Sequence, residues 1–478
     1  MRGWRRGTGA AVALAIAAAL PAASAARQLG PVAEATGRPH SAGKPYAARG
    51  LPDRVVLTPG ADPSREMAVA FRTDARQGEA LAELAPAIDG PSVAAAARRL
   101  AGRSADIATE NGAARYHQVR FDGLEPDTPY LYRVRGADGW SEWYQFRTAA
   151  AAPRPFTFLY FGDTQNDILE IGSRVIRQAF QSTPLPALVL HAGDLVAQRE
   201  EKVHDDEWGE WAQAGGHHYA MVPQVPAAGN HEYVDHVLPS GAESRRLGPH
   251  WPLSFALPGN GVAPAERTTY FIDHQGARFI ILDGTAALDL GALDAQTRWL
   301  DETLASSRAR WNVVLFHQPI FTCARPNDTE VLKAAWQPIF EARRVDLVLQ
   351  GHDHCYARLT SVQGREASAR AHAAGDPQGP VYLVSVVGSK MYGLNDRALT
   401  QPDRVAEETH LWQRFDVEED RILFRAYTPS GRLYDGFELR RGGDGRNRLS
   451  PLPDAFGPIR RCEGGRGPDG HPCTARPR

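Results

Sequence analysis

What this chain has little of narrows the possibilities first. Its charge is nearly balanced, with 54 lysines and arginines against 56 aspartates and glutamates, giving a formal net charge of −2. Nothing in that balance calls for nucleic acid or an anionic membrane as a partner. Cysteine is scarce, with four in 478 residues, so thiolate-rich structural zinc is not where the metal-binding side chains point. No apolar run reaches the roughly 20 residues that a spanning helix needs, so no membrane span is expected. The length exceeds what one core supports, and two or more domains follow.

The first 25 residues read as a signal peptide. Arg2, Arg5 and Arg6 precede an apolar stretch from Ala10 to Leu20, and Ala23-Ser24-Ala25 offers small residues for cleavage near Ala25. A secreted or periplasmic protein is expected, and the Arg5-Arg6 pair leaves both the general and the twin-arginine export routes open. Residues 26–50 are small and polar and read as a linker or disordered arm. Export permits disulfides. Cys462 and Cys473 lie in a Gly/Pro/Arg-rich tail, residues 442–478, and are expected to pair. Cys323 and Cys355 each follow a block of metal-ligand residues, so they either pair or remain thiols.

Two patterns divide the rest. Residues 51–150 are β in character: Met67-Ala-Val-Ala-Phe71 alternates, and Tyr130-Leu-Tyr132-Arg-Val134 alternates after the Pro126-Asp127 turn. The run Leu124-x-Pro126-x-Thr128-x-Tyr130-x-Tyr132 resembles the tyrosine corner of fibronectin type III and related β-sandwiches. The alanine-rich stretch from Gly78 to Arg103 has no clear pattern. From 151 to 441, short apolar runs alternate with helical stretches, as in Phe156–Phe161, Ala187–Leu190, Arg278–Leu282, Trp311–Phe316 and Val345–Leu349. That alternation predicts an α/β sandwich of four layers, α/β/β/α, with ligands beyond the carboxyl ends of the strands.

Five blocks sit at those ends. They are Gly162-Asp163-Thr164-Gln165, Gly193-Asp194, Gly229-Asn230-His231-Glu232, Val313-Val314-Leu315-Phe316-His317 and Gly351-His352-Asp353-His354. Each alone is weak. An aspartate after glycine is commonly a turn residue, and a strand-end histidine is commonly a core residue. Together they supply the oxygen and nitrogen donors that suit a pair of metal ions, iron, zinc or manganese. Two such ions lower the pKa of a water and neutralise phosphate charge. His204, His217, His218 and His236 lie between or just after the blocks, as loop histidines or pocket lining, and Ser389-Lys390 follows another apolar strand.

In these blocks and their order the chain resembles the calcineurin-like metallophosphoesterases, and more closely the purple acid phosphatase branch, over about residues 51 to 440. The resemblance implies an N-terminal sandwich before a catalytic domain. It implies that Asp194 bridges two metals, that Asp163 and His354 bind the first, and that Asn230, His317 and His352 bind the second. His231 would bind no metal and would act as acid toward the leaving group. Glu232 and Asp353 are read as residues that orient the ligands. The branch carries a tyrosine ligand three residues after the bridging aspartate, where this chain has Ala197, and many relatives carry a histidine where this chain has Gln165. Gln165 is therefore expected to serve as a ligand through its amide oxygen, and no purple charge-transfer band is expected. The implied activity is acid phosphatase-like hydrolysis of small phosphomonoesters by a metal-activated hydroxide. A phosphodiesterase or nucleotidase, and a non-catalytic binding protein of the same fold, are the alternatives. Oligomeric state is left open.

Overall fold

The computed structural model describes residues 45–200, 204–237, 243–360, 364–377, 379–453 and 456–474. The expected signal peptide and most of the linker lie outside those residues, as does the side chain of His236.

Nine strands come first: β1 (Asp53–Pro59), β2 (Met67–Thr73), β3 (Leu81–Pro86), β4 (Arg98–Ala101), β5 (Arg103–Thr109), β6 (Gly112–Phe121), β7 (Pro129–Gly136), β8 (Gly139–Trp140) and β9 (Tyr144–Arg147). They form two antiparallel sheets, β1-β2-β6-β5 and β4-β3-β7-β8, with β9 also on β7. The alternation in β7 is one of burial: Tyr130, Tyr132 and Val134 face in, and the residues between them are half-exposed. They meet Leu57, Val69, Phe71, Val119 and Phe121 from the other sheet in one apolar core. The Tyr130 hydroxyl accepts the Glu125 N–H at 2.9 Å, the hydrogen bond that defines a tyrosine corner. The unpatterned Gly78–Arg103 stretch supplies β3, β4 and a one-turn helix.

The second part holds β10 (Phe156–Phe161), β11 (Leu188–His191), β12 (Gln224–Pro226), β13 (Tyr233–Val237), β14 (Glu243–Leu247), β15 (Tyr270–His274), β16 (Ala277–Ile281), β17 (Trp311–Leu315), β18 (Leu347–Gln350), β19 (Tyr356–Leu359), β20 (Val381–Val384), β21 (Arg404–Ala406), β22 (Trp412–Val417), β23 (Arg421–Tyr427), β24 (Leu433–Arg441) and β25 (Asn447–Pro451). Two seven-stranded sheets result, β12-β11-β10-β22-β23-β24-β25 and β15-β16-β17-β18-β20-β19-β21. Strands β10, β11 and β12 are mutually parallel, as are β16, β17, β18 and β20. Sheet order thus runs past Arg441, because β25 pairs along β24.

The sheets face each other across Phe158, Tyr160, Leu190, Phe279, Leu315, Leu349 and Phe415. On the outer face of the first, Leu159 and Val189 pack on Val175 and Ile176 of the Ser173–Ser182 helix and on Trp208 and Trp211 of the Asp205–Gly215 helix. On the outer face of the second, Ile280, Val314 and Val348 pack on Leu300 and Leu304 of the Leu293–Ala305 helix and on Trp336 and Phe340 of the Glu330–Ala342 helix. Strands buried on both faces must be apolar throughout, which is why they are continuous hydrophobic runs in the sequence. The result is an all-β domain followed by a four-layer α/β/β/α sandwich.

Polar contacts fasten the two parts. The Asp205 carboxylate, fully buried, receives Arg54 at 2.6 Å, Arg72 at 3.3 Å and His250 at 2.9 Å. A buried carboxylate is tolerable only with such partners, and removing one strands the others. Disulfides join Cys323 to Cys355 and Cys462 to Cys473.

Candidate metal centre

Each block follows the carboxyl end of a parallel strand: Asp163 after β10, Asp194 after β11, Asn230 after β12, His317 after β17, and His352 and His354 after β18. The glycines at their heads have a steric purpose. A Cβ on Gly229 would lie 2.2 Å from Asp194 Oδ1, and one on Gly351 would lie 2.2 Å from Asp163 Oδ1. Asp194, His352 and His354 hold left-handed backbone, with φ of 49°, 70° and 47°. Non-glycine residues rarely adopt it, and local strain of this kind gathers at functional sites.

The side chains converge in two groups. Asp194, His317 and His352 form one, and Asp163, Asp194 and His354 the other. In the first of these, His317 Nε2 lies 3.1 Å from Asp194 Oδ2, 3.2 Å from Asn230 Oδ1 and 3.0 Å from His352 Nδ1. The opposite nitrogen, Nδ1, donates to the Ala192 carbonyl at 2.8 Å, so Nε2 is the ring atom turned toward the cluster, and its lone pair is free for an ion once its proton leaves. Oxygen and nitrogen atoms of Asp194, Asn230 and His352 thus gather around His317 Nε2, the mixed set of groups that suits a divalent or trivalent ion. In the other group His354 Nδ1 donates to the Lys390 carbonyl at 2.7 Å, and Nε2 lies 3.3 Å from Asp163 Oδ2. Gln165 ends in the same group, with Nε2 at 2.8 Å from Asp194 Oδ2 and 2.9 Å from His354 Nε2. The buried Asp163 Oδ2 and Gln165 Oε1 make no hydrogen bond, leaving two oxygens for an ion.

Electrostatics point the same way. Burial pushes Asp163 up to about 7 and Glu232 up to about 8, and the Asp194 charge adds to both. Burial also works against ionised Asp194, but the surrounding His317, His231 and His352 hold its pKa well below the usual range. Burial lowers His317, yet the Asp194 and Asp163 carboxylates outweigh it and raise the imidazole to about 9. Crowded buried carboxylates recruit the nearest available positive charge. Asn230, His231 and His352 are the half-buried members, and they mark the open side. The 560 Å³ cavity between the two domains, lined by Arg147, Thr183 and His274, contains none of these ligands.

Comparison with known proteins gives the same division of the chain. The family model of the purple acid phosphatase N-terminal domain matches residues 52–148, and that of the calcineurin-like phosphoesterases matches residues 156–356. The chain belongs to the calcineurin-like phosphoesterases, with the domain pair of the purple acid phosphatases. Uncharacterized protein Rv2577 of Mycobacterium tuberculosis is 27% identical over 382 residues, 72% of this chain and 70% of its own. Purple acid phosphatase 1 of Ipomoea batatas is 26% identical over 299 residues, 60% of this chain and 61% of its own. The solved structure of PhoD covers 88% of this chain and 94% of its own at a TM-score of 0.58 and 14% identity, which shows a shared fold.

Within this metallophosphoesterase, Glu232 and Asp353 work on the backbone of the ligand loops. Glu232 accepts N–H groups from Gly229 at 2.6 Å and from Asp194 and Leu195 at 2.8 Å, tying the β11 and β12 loops together. Asp353 accepts from Cys323 at 2.6 Å and Ala324 at 2.7 Å, and pairs with Arg325. The Cys323–Cys355 disulfide repeats that link between the same loops. His231 donates Nδ1–H to the Ala197 carbonyl and turns Nε2 inward, 3.9 Å from Asp194 Oδ2.

Sequence reasoning missed Glu207. Its carboxylate accepts the N–H of Ala197 at 2.6 Å and of Gln198 at 2.7 Å, fixing the peptide that carries the His231 partner. It stands in the first turn of the helix whose Asp205 anchors the sandwich. The only signal was the acidic run Asp205-Asp206-Glu207, which reads as an ordinary helix start. His204 is fully buried beside Trp208 and His250, while His217 and His218 lie at the start of the His217–Met221 helix, His218 stacked on Phe180.

Proposed function

We propose that this chain is an exported, two-metal phosphoesterase that hydrolyses small phosphomonoesters. The observation that carries this reading is the Asp194 carboxylate, common to both ligand groups. A carboxylate between two cations gives an oxygen to each and lessens their repulsion. Asp163, Gln165, His354 and Asp194 would hold the first metal, and Asp194, Asn230, His317 and His352 the second. Iron, zinc and manganese all suit these donors. Bound there, the pair supplies an activated water and neutralises phosphate charge.

The chain's own residues do the rest. Asn230, His231 and His352 flank the open side, where a phosphate would come in. His231 keeps Nδ1–H on the Ala197 carbonyl, so in the protonated ring its inward Nε2–H is the group that gives a proton to the departing alkoxide, leaving the neutral imidazole. The limits follow the boundaries above, with the sheet's last strand added: a signal peptide over 1–25, an arm to about 50, the sandwich to 150, the catalytic domain through β25 to Pro451 and a cysteine-bearing tail. The two disulfides support an oxidising destination, outside the cytoplasm.

The test is metal content measured with hydrolysis of aryl phosphate mono- and diesters across pH, on the wild type and on Asp194→Ala. Two metals per chain and faster monoester turnover are expected, with both lost in the variant. Faster diester turnover would move the reading to a phosphodiesterase. Full metal loading with no ester hydrolysed would make the chain a binding protein. For the acid role, His231→Ala should keep its metals and lose turnover on esters of poor leaving groups most.

A further inference from the structure

Among the described residues, one cation stands beside the first ligand group without a carboxylate of its own. After β20 the chain folds across the first ligand group. Val387 and Gly388 both donate N–H to the Asp163 carbonyl at 2.8 Å, and Ser389 Oγ donates to Asp167 Oδ2 at 2.5 Å. The next residue, Lys390, gives its carbonyl to His354 Nδ1 at 2.7 Å. The Lys390 backbone is therefore held by the segments carrying two metal ligands, Asp163 and His354. Its Nζ lies 5.5 Å from the centre of the Tyr392 ring, and that ring packs 4.8 Å from the His354 imidazole. Lys390 is half-buried, and among the described residues it makes no ion pair, whereas Lys333 pairs with Asp328 at 2.8 Å.

An unpaired ammonium held beside an anion-binding centre is a phosphate contact in waiting. Lysine serves phosphate as a compact point charge. Resting on the phosphoesterase reading above, we propose that Lys390 is a specificity-determining residue, whose ammonium takes a non-bridging oxygen of a phosphomonoester dianion and so favours monoesters over diesters. Near neutral pH a monoester carries nearly two negative charges, because its second pKa is about 6, and a diester carries one. A fixed cation beyond the two metals therefore rewards the monoester more.

The experiment compares 4-nitrophenyl phosphate with methyl 4-nitrophenyl phosphate, which share a leaving group, on the full chain. Wild type, Lys390→Met and Lys390→Arg are each assayed with metal content measured. Inorganic phosphate binding to the metal-loaded proteins is read by calorimetry. Lys390→Met should keep its metals, lose about 10- to 100-fold in kcat/KM on the monoester, and stay within about threefold on the diester. Its phosphate affinity should fall by a similar factor, and Lys390→Arg should recover much of both. Equal losses on the two esters, or undiminished phosphate binding, would overturn the role of Lys390 and leave the phosphoesterase reading intact. A wild type that binds phosphate but hydrolyses neither ester would instead sink the phosphoesterase reading, and with it this one.

Discussion

In the second ligand group a carboxylate oxygen, an amide oxygen and an imidazole nitrogen, those of Asp194, Asn230 and His352, lie within 3.0 to 3.2 Å of His317 Nε2. In the first group a glutamine amide stands among Asp163, Asp194 and His354, with Nε2 rather than Oε1 turned toward its neighbours. Rotating that amide by half a turn would present its oxygen. The contrast shows how two neighbouring sites can share a carboxylate and still differ in what they demand of an ion. One is already arranged for a cation. The other leaves Asp163 Oδ2 without a partner but turns the Gln165 amide nitrogen inward, and that side chain must rotate to offer its oxygen.

The most direct way to break this comparison is through the residue the groups share. Asp194→Ala should lower turnover by about four orders of magnitude, because charge stabilisation at both metals is lost. Mass spectrometry under native conditions should find neither site filled. A variant that kept two metals would mean that Asp194 does not join the groups.

Acid and base should separate the groups in the metal-free chain. His317, raised to about 9, keeps its proton more tightly when folded, so its contribution is whole below about pH 6.5 and disappears as pH rises through about 9. His354, lowered to about 3 by burial and the Lys390 charge, refuses a proton that the unfolded chain accepts. Its folding penalty therefore grows as pH falls from about 6.5 toward 3. Chelated wild type compared with His317→Gln should show the alkaline loss, and compared with His354→Gln the acid loss, each of about 3 kcal/mol or somewhat more. Thermal melts across pH measure both, and difference curves of the same slope would contradict the assignment.

A smaller effect tests the amide. Gln165→Ala should weaken the first metal by about 10- to 100-fold and leave the second in place, as read by competition with a chelating dye. Equal weakening of both, or of neither, would remove Gln165 from the ligand set. The iron-loaded wild type should show no strong visible band, since no phenolate stands at Ala197.

The smallest effect lies outside both groups. Glu207→Gln keeps the side chain but weakens its hold on Ala197 and Gln198, and through them on His231. Turnover should fall about threefold to tenfold with both metals retained. Loss of metal in this variant would show that Glu207 supports the ligand loops themselves.

Much of this was legible beforehand because local chemistry imposes it. Strands buried on both faces had to be apolar runs, and the ligands had to follow their ends, so Phe156–Phe161 and Val345–Leu349 marked β10 and β18 and the positions after them. The alternating Tyr130, Tyr132 and Val134 marked a half-buried strand by its period. The Gly78–Arg103 stretch was not legible, because alanine and arginine carry little β pattern, and β3 and β4 exist by pairing with β7 and with each other. Nor was β25, whose five residues are ordered by β24.

By itself the sequence determined which residue types stand at which strand ends, and hence a metal-dependent chemistry on a layered α/β fold. Only the tertiary structure decided that Asp194 belongs to both groups, that the Gln165 amide reaches the first, that the Lys390 carbonyl holds His354, and that Glu207 ties the sandwich-anchored helix to the His231 partner. The reason is one of range. Side-chain type and strand period are properties of neighbours along the chain. The contact between Gln165 and His354 spans 189 positions, and that between Arg54 and Asp205 spans 151. Such contacts form only when the packed sheets bring their loops to one edge.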